Sequence, residues 1–319
     1  MISADGLVKR SEPWMFLALH KYLNAGTMQD EALMKANLLN DVKIRSLLAD
    51  ISHFHDFVVN SHKNVNNPMH KLLFLLDLGL DRSVTEIDEA IQAILAHQDR
   101  NGVYQTLMNI SVNYGGTGEN VFTWALCDAP LLLLALVKAG VDYPSKIKPG
   151  VDHLVSTLRP NGFPCIGSQE LGTFRGPGKK EDPCPYASLI MLKLLAEIPE
   201  YHDSETIKTC ANTLLDLWSN SLTQHPYMFY MGNDFRKAKG PTSWYDLLSV
   251  CDVLSQVKSV HTDPRFIEMI ELLKSKVDDD GMLVPESVYV RYKDWDFGQK
   301  KESSAYLTFI LLRILNRLK

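Results

Sequence analysis

No apolar run in this 319-residue chain is long enough to cross a bilayer: the longest, Ala129 to Val137, falls well short of the roughly 20 residues that a spanning helix needs. Positive charge is not in excess either. With 33 basic and 38 acidic residues and a net charge of -5, the chain lacks the field of a general nucleic-acid binder, and any anion site has to be local. Cysteine is scarce. The five, at positions 127, 165, 184, 210 and 251, are odd in number and form no Cys-x-x-Cys pair, which reads as reduced thiols in a cytoplasmic protein. The opening Met1-Ile-Ser-Ala-Asp-Gly6 has an acidic residue and no basic-then-apolar signal, so no secretory peptide is expected. Strand signals are few.

What is present is apolar residue at helical spacing, over 45% of a chain long enough to bury a substantial core. Helix starts marked by proline or hydroxyl residues fall at Pro13, Pro68, Pro130, Pro183, Pro241 and Ser303, separated by 55, 62, 53, 58 and 62 residues. Proline suits a helix's first turn, and Asn67 and Asp182 are good N-caps for the helices behind Pro68 and Pro183. These six segments are apolar on more than one face, as buried helices are. Between them lie amphipathic segments at roughly 41–60, 84–97, 146–158, 205–222 and 265–276. Three of these end in a Gly turn, at Gly102, Gly162 and Gly281, where a positive φ stops a helix and reverses the chain.

Helical hairpins about 60 residues long therefore follow one another. A solenoid would show solvated capping repeats, yet the segments from Pro13 and from Ser303 are both strongly apolar, which a closed ring explains better. The expectation is a single all-α domain over 1–319, an α/α-toroid with six inner helices and a central cavity. The Gln98-x-x-x-Gly102 turn, the period and the alternation of inner and outer helices resemble the α/α-toroid of protein prenyltransferases and terpenoid cyclases. More narrowly, Thr106-Leu-Met108, Tyr114-Gly-Gly-Thr-Gly118, Cys127-Asp-Ala-Pro-Leu-Leu-Leu133, Phe174-Arg-Gly-Pro-Gly178 and Asp234-Phe-Arg-Lys237 resemble a prokaryotic family with prenyltransferase-like and squalene-cyclase-like repeats.

The chemistry that this resemblance implies is only partly matched. Class II terpenoid cyclases protonate their substrate with Asp-x-Asp-Asp, but Val277-Asp-Asp-Asp280 lacks the first aspartate and sits at a repeated turn, and the class I pattern fails because Gly281 follows Asp280. Protein prenyltransferases hold zinc through Asp, Cys and His to make a thiolate of an acceptor cysteine, so the resemblance makes Cys127, Asp128, Cys184 and His70 the candidates to test. Their spacing is no recognised zinc signature, and buried structural cysteines are the plainer reading; no metal and no other cofactor is expected. Gly172 to Lys180 has the flavour of a phosphate loop but the wrong spacing, and Lys180 stands where Ser or Thr should hold magnesium.

A basic motif recurs. Lys180, Lys239 and Lys300 each stand six residues before a tyrosine, Tyr186, Tyr245 and Tyr306, and the segments 171–187, 234–246 and 291–302 are each net positive in a negative chain. In a closed ring they would share one mouth with the inner-helix N-termini. Arg175, Lys180, Arg236, Lys239, Lys300 and Lys301 are the expected anion binders, with Trp124, Tyr186, Trp244, Tyr245 and Tyr306 lining an apolar pocket. The expected function is an enzyme or binding protein for an anionic, largely apolar small molecule, an isoprenoid diphosphate foremost. Two alternatives stand beside it: a carbohydrate-active helical barrel using Asp128, Asp234, Asp246 or Asp296 as acid and base, and a non-catalytic interaction scaffold. The expected partner is the anionic ligand, with no nucleic acid and no membrane span.

Overall fold

The computed structural model describes residues 1–26, 30–176, 178–223 and 234–319. The protein is predominantly helical, as the apolar periodicity requires. In chain order the α-helices are α1 (Ala4–Val8), α2 (Phe16–Leu23), α3 (Glu31–Asn40), α4 (Val42–Ile51), α5 (Pro68–Asp77), α6 (Thr85–Leu95), α7 (Ala129–Lys138), α8 (Lys148–Val155), α9 (Pro185–Ala196), α10 (Glu205–Ser219), α11 (Leu247–Leu254), α12 (Pro264–Lys274) and α13 (Ala305–Arg317). Two short antiparallel strands, β1 (Thr106–Met108) and β2 (Val121–Thr123), pair Thr106 with Thr123. Among the described residues no helix is long and apolar enough to cross a membrane.

The chain divides into two compact units. One comprises Met1–Leu47, Asp77–Leu80 and Met231–Lys319, and the other comprises Leu48–Leu76 and Asp81–Tyr230. In the first unit α11, all eight residues of which are buried, packs against α12 and α13, and α13 packs against α2. In the second unit α9 packs between α7 and α10. Helix α7 buries every residue from Ala129 to Leu136, and α9 is buried through nearly its whole length. That is the physical meaning of an apolar run with no polar face: each fully buried leucine contributes roughly 1.5–3 kcal/mol, and no side of the helix is left for water.

Local signals set most of the boundaries. Asn67 caps α5 by accepting from Met69 N at 3.0 Å, Ser204 caps α10 through Ile207 N at 3.2 Å, and Asp263 caps α12 through Arg265 N at 2.9 Å. Four expected starts move: α2 begins at Phe16, after a 3-10 turn over Pro13–Met15, and α13 at Ala305 with Ser304 as its cap. Helix α9 begins at Pro185, because the side chain of Cys184 takes the capping place expected for Asp182. Helix α11 begins at Leu247, six residues past Pro241, because Asp246 accepts from Ser249 N at 2.9 Å and fixes the first turn there.

The three turn glycines all have left-handed backbone, with φ of 85° at Gly102, 117° at Gly162 and 76° at Gly281. At Gly162 space is as restrictive as conformation, since a Cβ there would stand 2.7 Å from Thr213 Cγ2 and 3.1 Å from Pro183 Cβ. The Gly162→Val variant should therefore lose roughly 1 kcal/mol or more in urea unfolding, through strain at positive φ together with displacement of α10. An unchanged midpoint would contradict that account.

Candidate metal centre

Three cysteine sulfurs converge in the second unit. The Sγ atoms of Cys127, Cys165 and Cys184 all lie within 4.8 Å of one another, and all three residues are buried and free of disulfides. They come from segments far apart in sequence, and backbone hydrogen bonds bring those segments together. The chain leaving β2 pairs with the segment carrying Cys165: Leu126 N donates to Ile166 O at 2.9 Å and Ser168 N to Trp124 O at 2.8 Å. Between the same segments, the buried hydroxyls of Thr123 and Ser168 share a hydrogen bond at 2.6 Å. Cys184 N then donates to Phe163 O at 2.7 Å, which sets the start of α9 beside Cys165.

A histidine-bearing segment is tied to the same frame. Val59 N donates to Leu107 O at 2.8 Å and Asn109 N to Val59 O at 3.0 Å, so residues just before His62 extend the edge of β1. Val59, Met108, Ile110, Ala125 and Leu171 form one buried apolar cluster, with Phe57 and Phe174 packed on it. The Phe174 ring lies 5.7 Å from the imidazole of His62. This small sheet and its cluster are thus the local scaffold that holds four chemically active side chains in register.

Backbone N–H groups face two of the sulfurs. Gly176 N donates to Cys165 Sγ at 3.2 Å and Ala187 N to Cys184 Sγ at 3.5 Å; the second donor lies in the first turn of α9, where helix partial charge is positive. Hydrogen bonds from Cys127 and then Cys184 pull the Cys165 thiol down to about 3, helped by Gly176 N and the charge of His62. Its neighbours move the other way. Cys127 is pushed well up by its bonds to Cys165 and Cys184 and by burial. For Cys184 the contact with Cys127 lowers the value, but Cys165 and burial outweigh it and leave the thiol at about 12. Cys165 is thus the sulfur that ionises most readily, and a cation among the three would favour ionising the other two as well.

His62 and Asp128 form a buried ion pair through Nδ1 and Oδ2. Burial works against charge on His62, but the Asp128 carboxylate prevails and its pKa is raised. Asp128 stands at the N-cap of α7 yet makes no capping bond, because its side chain faces the histidine instead. His70 Nε2 donates to the His62 carbonyl at 3.0 Å. Burial lowers the His70 pKa, although its bond to that carbonyl and Asp128 oppose the shift.

Of the residues singled out in the sequence, Cys127, Asp128, Cys184 and His70 are brought together here. Cys165 and His62 were missed. The donor set fits a zinc ion: tetrahedral coordination at Zn–S of about 2.3 Å puts sulfurs roughly 3.8 Å apart, inside the limit that the three sulfurs meet.

The other expected residues lie elsewhere. In the second unit, the Arg175 guanidinium donates to Gly178 O at 2.7 Å, Lys180 is exposed, Tyr186 is buried in α9, and Trp124 donates to Asp99 at 2.9 Å. In the first unit, Lys239 is buried, 3.9 Å from Asp234 and over the Tyr289 ring at 5.2 Å, while Asp234 also meets Lys237. Arg236 is half-buried, Lys300 and Lys301 are exposed, Trp244 is half-buried, and Tyr245 stacks on Phe235. Tyr306 is core, packed against Trp14, Phe297 and Phe309. Asp246 caps α11. Asp296 serves the start of α13, accepting from Ser304 Oγ at 2.8 Å and Tyr306 N at 2.9 Å, and burial raises its pKa. A cleft of about 520 Å³ includes Lys301 and Arg10, but Glu12, Asp278, Asp296 and Glu302 also line it, so its balance is acidic.

No family model and no curated protein matches the chain. Among solved structures, the apo form of the type II terpene cyclase MstE from Scytonema is similar to this chain at 13% identity and a TM-score of 0.43, over 96% of this chain and 87% of that one.

Proposed function

We propose that the protein is a metal-thiolate protein that holds one zinc ion through Cys127, Cys165 and Cys184. The observation that carries this reading is the convergence of three buried sulfurs from three separate segments within 4.8 Å. Soft thiolate donors select zinc, copper(I) or iron–sulfur clusters among biological metals, and an adjacent imidazole suits zinc. When bound, zinc supplies a redox-inert Lewis acid that keeps thiolates ionised at neutral pH. The chain's own part is to aim the sulfurs and to stabilise their charge through Gly176 N and Ala187 N.

Metal analysis of the full chain after zinc loading and dialysis tests the proposal. One zinc per chain is expected in the wild type, and much less in Cys127→Ser, Cys165→Ser and Cys184→Ser. A wild-type chain that retains no stoichiometric metal, with its thiols all titrating as free groups in the folded state, would end the reading.

The organic ligand implied by the family resemblance is an anionic, largely apolar molecule, an isoprenoid diphosphate foremost, and Lys239 is the residue in its favour. Its ammonium is buried yet stands 3.9 Å from the nearest carboxylate, that of the exposed Asp234. Prenyl diphosphates should stabilise the chain against heat by mass action, and Lys239→Glu should weaken their binding by more than tenfold. Lys208→Glu, on the outer face of α10 beside Glu205, should not. Equal affinities for the two variants would dismiss this ligand.

A further inference from the structure

We infer that His62 completes the three-sulfur centre as its fourth ligand, through Nε2, with Asp128 and His70 as the positioning residues that aim the ring. This rests on the zinc reading above and adds the identity of the fourth donor. The first ground is the state of the ring nitrogens. Nδ1 lies against Asp128 Oδ2 as an ion pair, but among the described residues neither ring nitrogen and neither Asp128 oxygen has a hydrogen-bond partner, and Nε2, shielded from solvent, has no ion-pair contact either. Buried polar atoms are ordinarily satisfied, so a cluster of unsatisfied ones needs a reason, and a metal is a partner of the right chemistry for Nε2.

The second ground is what Asp128 gives up. A carboxylate at a helix N-cap ordinarily bonds the free N–H groups of the first turn, yet Asp128, fully buried, makes no such bond at α7 and turns to His62. With Nδ1 against the carboxylate, Nε2 is the nitrogen on which a metal can replace a proton, the arrangement in which ligating histidines are oriented by a second carboxylate. The third ground is the tether: His70 Nε2 donates to the His62 carbonyl at 3.0 Å. It locks the backbone from which the ring projects. Cys127, adjacent in sequence to Asp128, ties the orienting carboxylate directly to one of the sulfur donors.

Among the described residues the three sulfurs alone meet the mutual 4.8 Å limit, so His62 stands outside that limit while acting electrostatically on Cys165. Ligation requires the ring to pivot on the Asp128 carboxylate toward Cys165. Asp128 and Cys165 act on this ring, while His70 meets its backbone carbonyl and Lys193 acts on His70. Among the described residues no hydrogen-bonding group occupies Nε2.

X-ray absorption of the zinc-loaded full chain tests the inference. Three sulfurs and one imidazole nitrogen are expected, and His62→Ala should lose the nitrogen shell and weaken zinc by at least tenfold. Asp128→Asn should weaken zinc by roughly 10- to 100-fold while keeping the nitrogen shell, which distinguishes a positioning role from ligation. A measurement on unaltered protein guards against a variant that fails to fold: with cadmium-113 and nitrogen-15 histidine, coupling to one histidine Nε2 is expected. One zinc with three sulfurs, a light-atom shell identical in wild type and His62→Ala, and no cadmium–nitrogen coupling would overturn this inference and leave the thiolate centre standing. A wild type that holds no zinc would overturn both.

Discussion

Stripping zinc from the loaded chain with a strong chelator is expected to lower the stability of the unit formed by Leu48–Leu76 and Asp81–Tyr230 by about 4 kcal/mol, the mass-action term for an ion present at a thousand times its dissociation constant. The loss should be local to this unit, since Cys127, Cys165 and Cys184 knit together the loops that start α7 and α9. Cys165→Ser should reproduce the stripped stability and no longer respond to zinc. Cys210→Ser provides the control: Cys210 is fully buried in α10, but it is not among the three clustered sulfurs. Its variant should be somewhat less stable and still respond to zinc. Calorimetry of all three proteins, with and without chelator, gives the comparison, and a wild-type melting profile indifferent to zinc would count against the centre.

The second large effect is expected in the other unit. Arg313 on α13 forms a buried two-point ion pair with Asp252 on α11, at 3.1 Å through Nε and 2.6 Å through an amino group. Arg317 adds contacts to the Asp252 carbonyl at 2.9 Å and carboxylate at 3.0 Å. The Arg313 guanidinium also lies over the rings of Tyr22 and Phe309, at 5.2 and 5.3 Å. Arg313→Met would take from the buried Asp252 carboxylate its two-point partner, and about 3 kcal/mol should be lost in urea unfolding. The double variant Arg313→Met, Asp252→Leu should recover much of that, because removing both charges removes the desolvation cost as well. If the double variant were less stable than the single one, the pair would be a net stabiliser in its own right.

Neither member of that pair could be matched from the sequence. Arg313 and Asp252 each interrupt an apolar helix, and nothing local says that they face each other across 61 residues. The helices themselves were readable because their causes are local. Asn67 with Pro68 starts α5, and the amphipathic segments predicted at 84–97, 205–222 and 265–276 appear as Thr85–Leu95, Glu205–Ser219 and Pro264–Lys274. The positive φ at the three turn glycines was likewise written in Asn-Gly and Asp-Gly steps.

The candidate metal centre was half legible for a matching reason. Cys127 and Cys184 precede buried helices and so could be placed near one another, but Cys165 lies in an irregular loop that joins them through single backbone bonds such as Leu126 N to Ile166 O. His62 lies in another such loop. One sequence feature does bear on it: Asp128 precedes an apolar helix directly after a cysteine, and a capping residue beside a soft metal donor invites a search for what else its carboxylate might hold. The repeated lysines share an offset in sequence and differ in setting: Lys239 is buried, 3.9 Å from Asp234, whereas Lys180 and Lys300 are exposed.

The division of the chain has a consequence for the order in which it matures on the ribosome. The unit carrying the three clustered cysteines is nearly continuous, so His62, Cys127, Cys165 and Cys184 emerge in that sequence and the candidate site is complete before Met231–Lys319 is made. The other unit joins Met1–Leu47 to Met231–Lys319. Its opening segment, including the buried Trp14 that meets Trp295 at 5.0 Å, has to wait for the last part of the chain to be made. Such long-range closure is slow and leaves apolar surface exposed meanwhile, which makes the newborn N-terminal helices the segment most in need of chaperone cover.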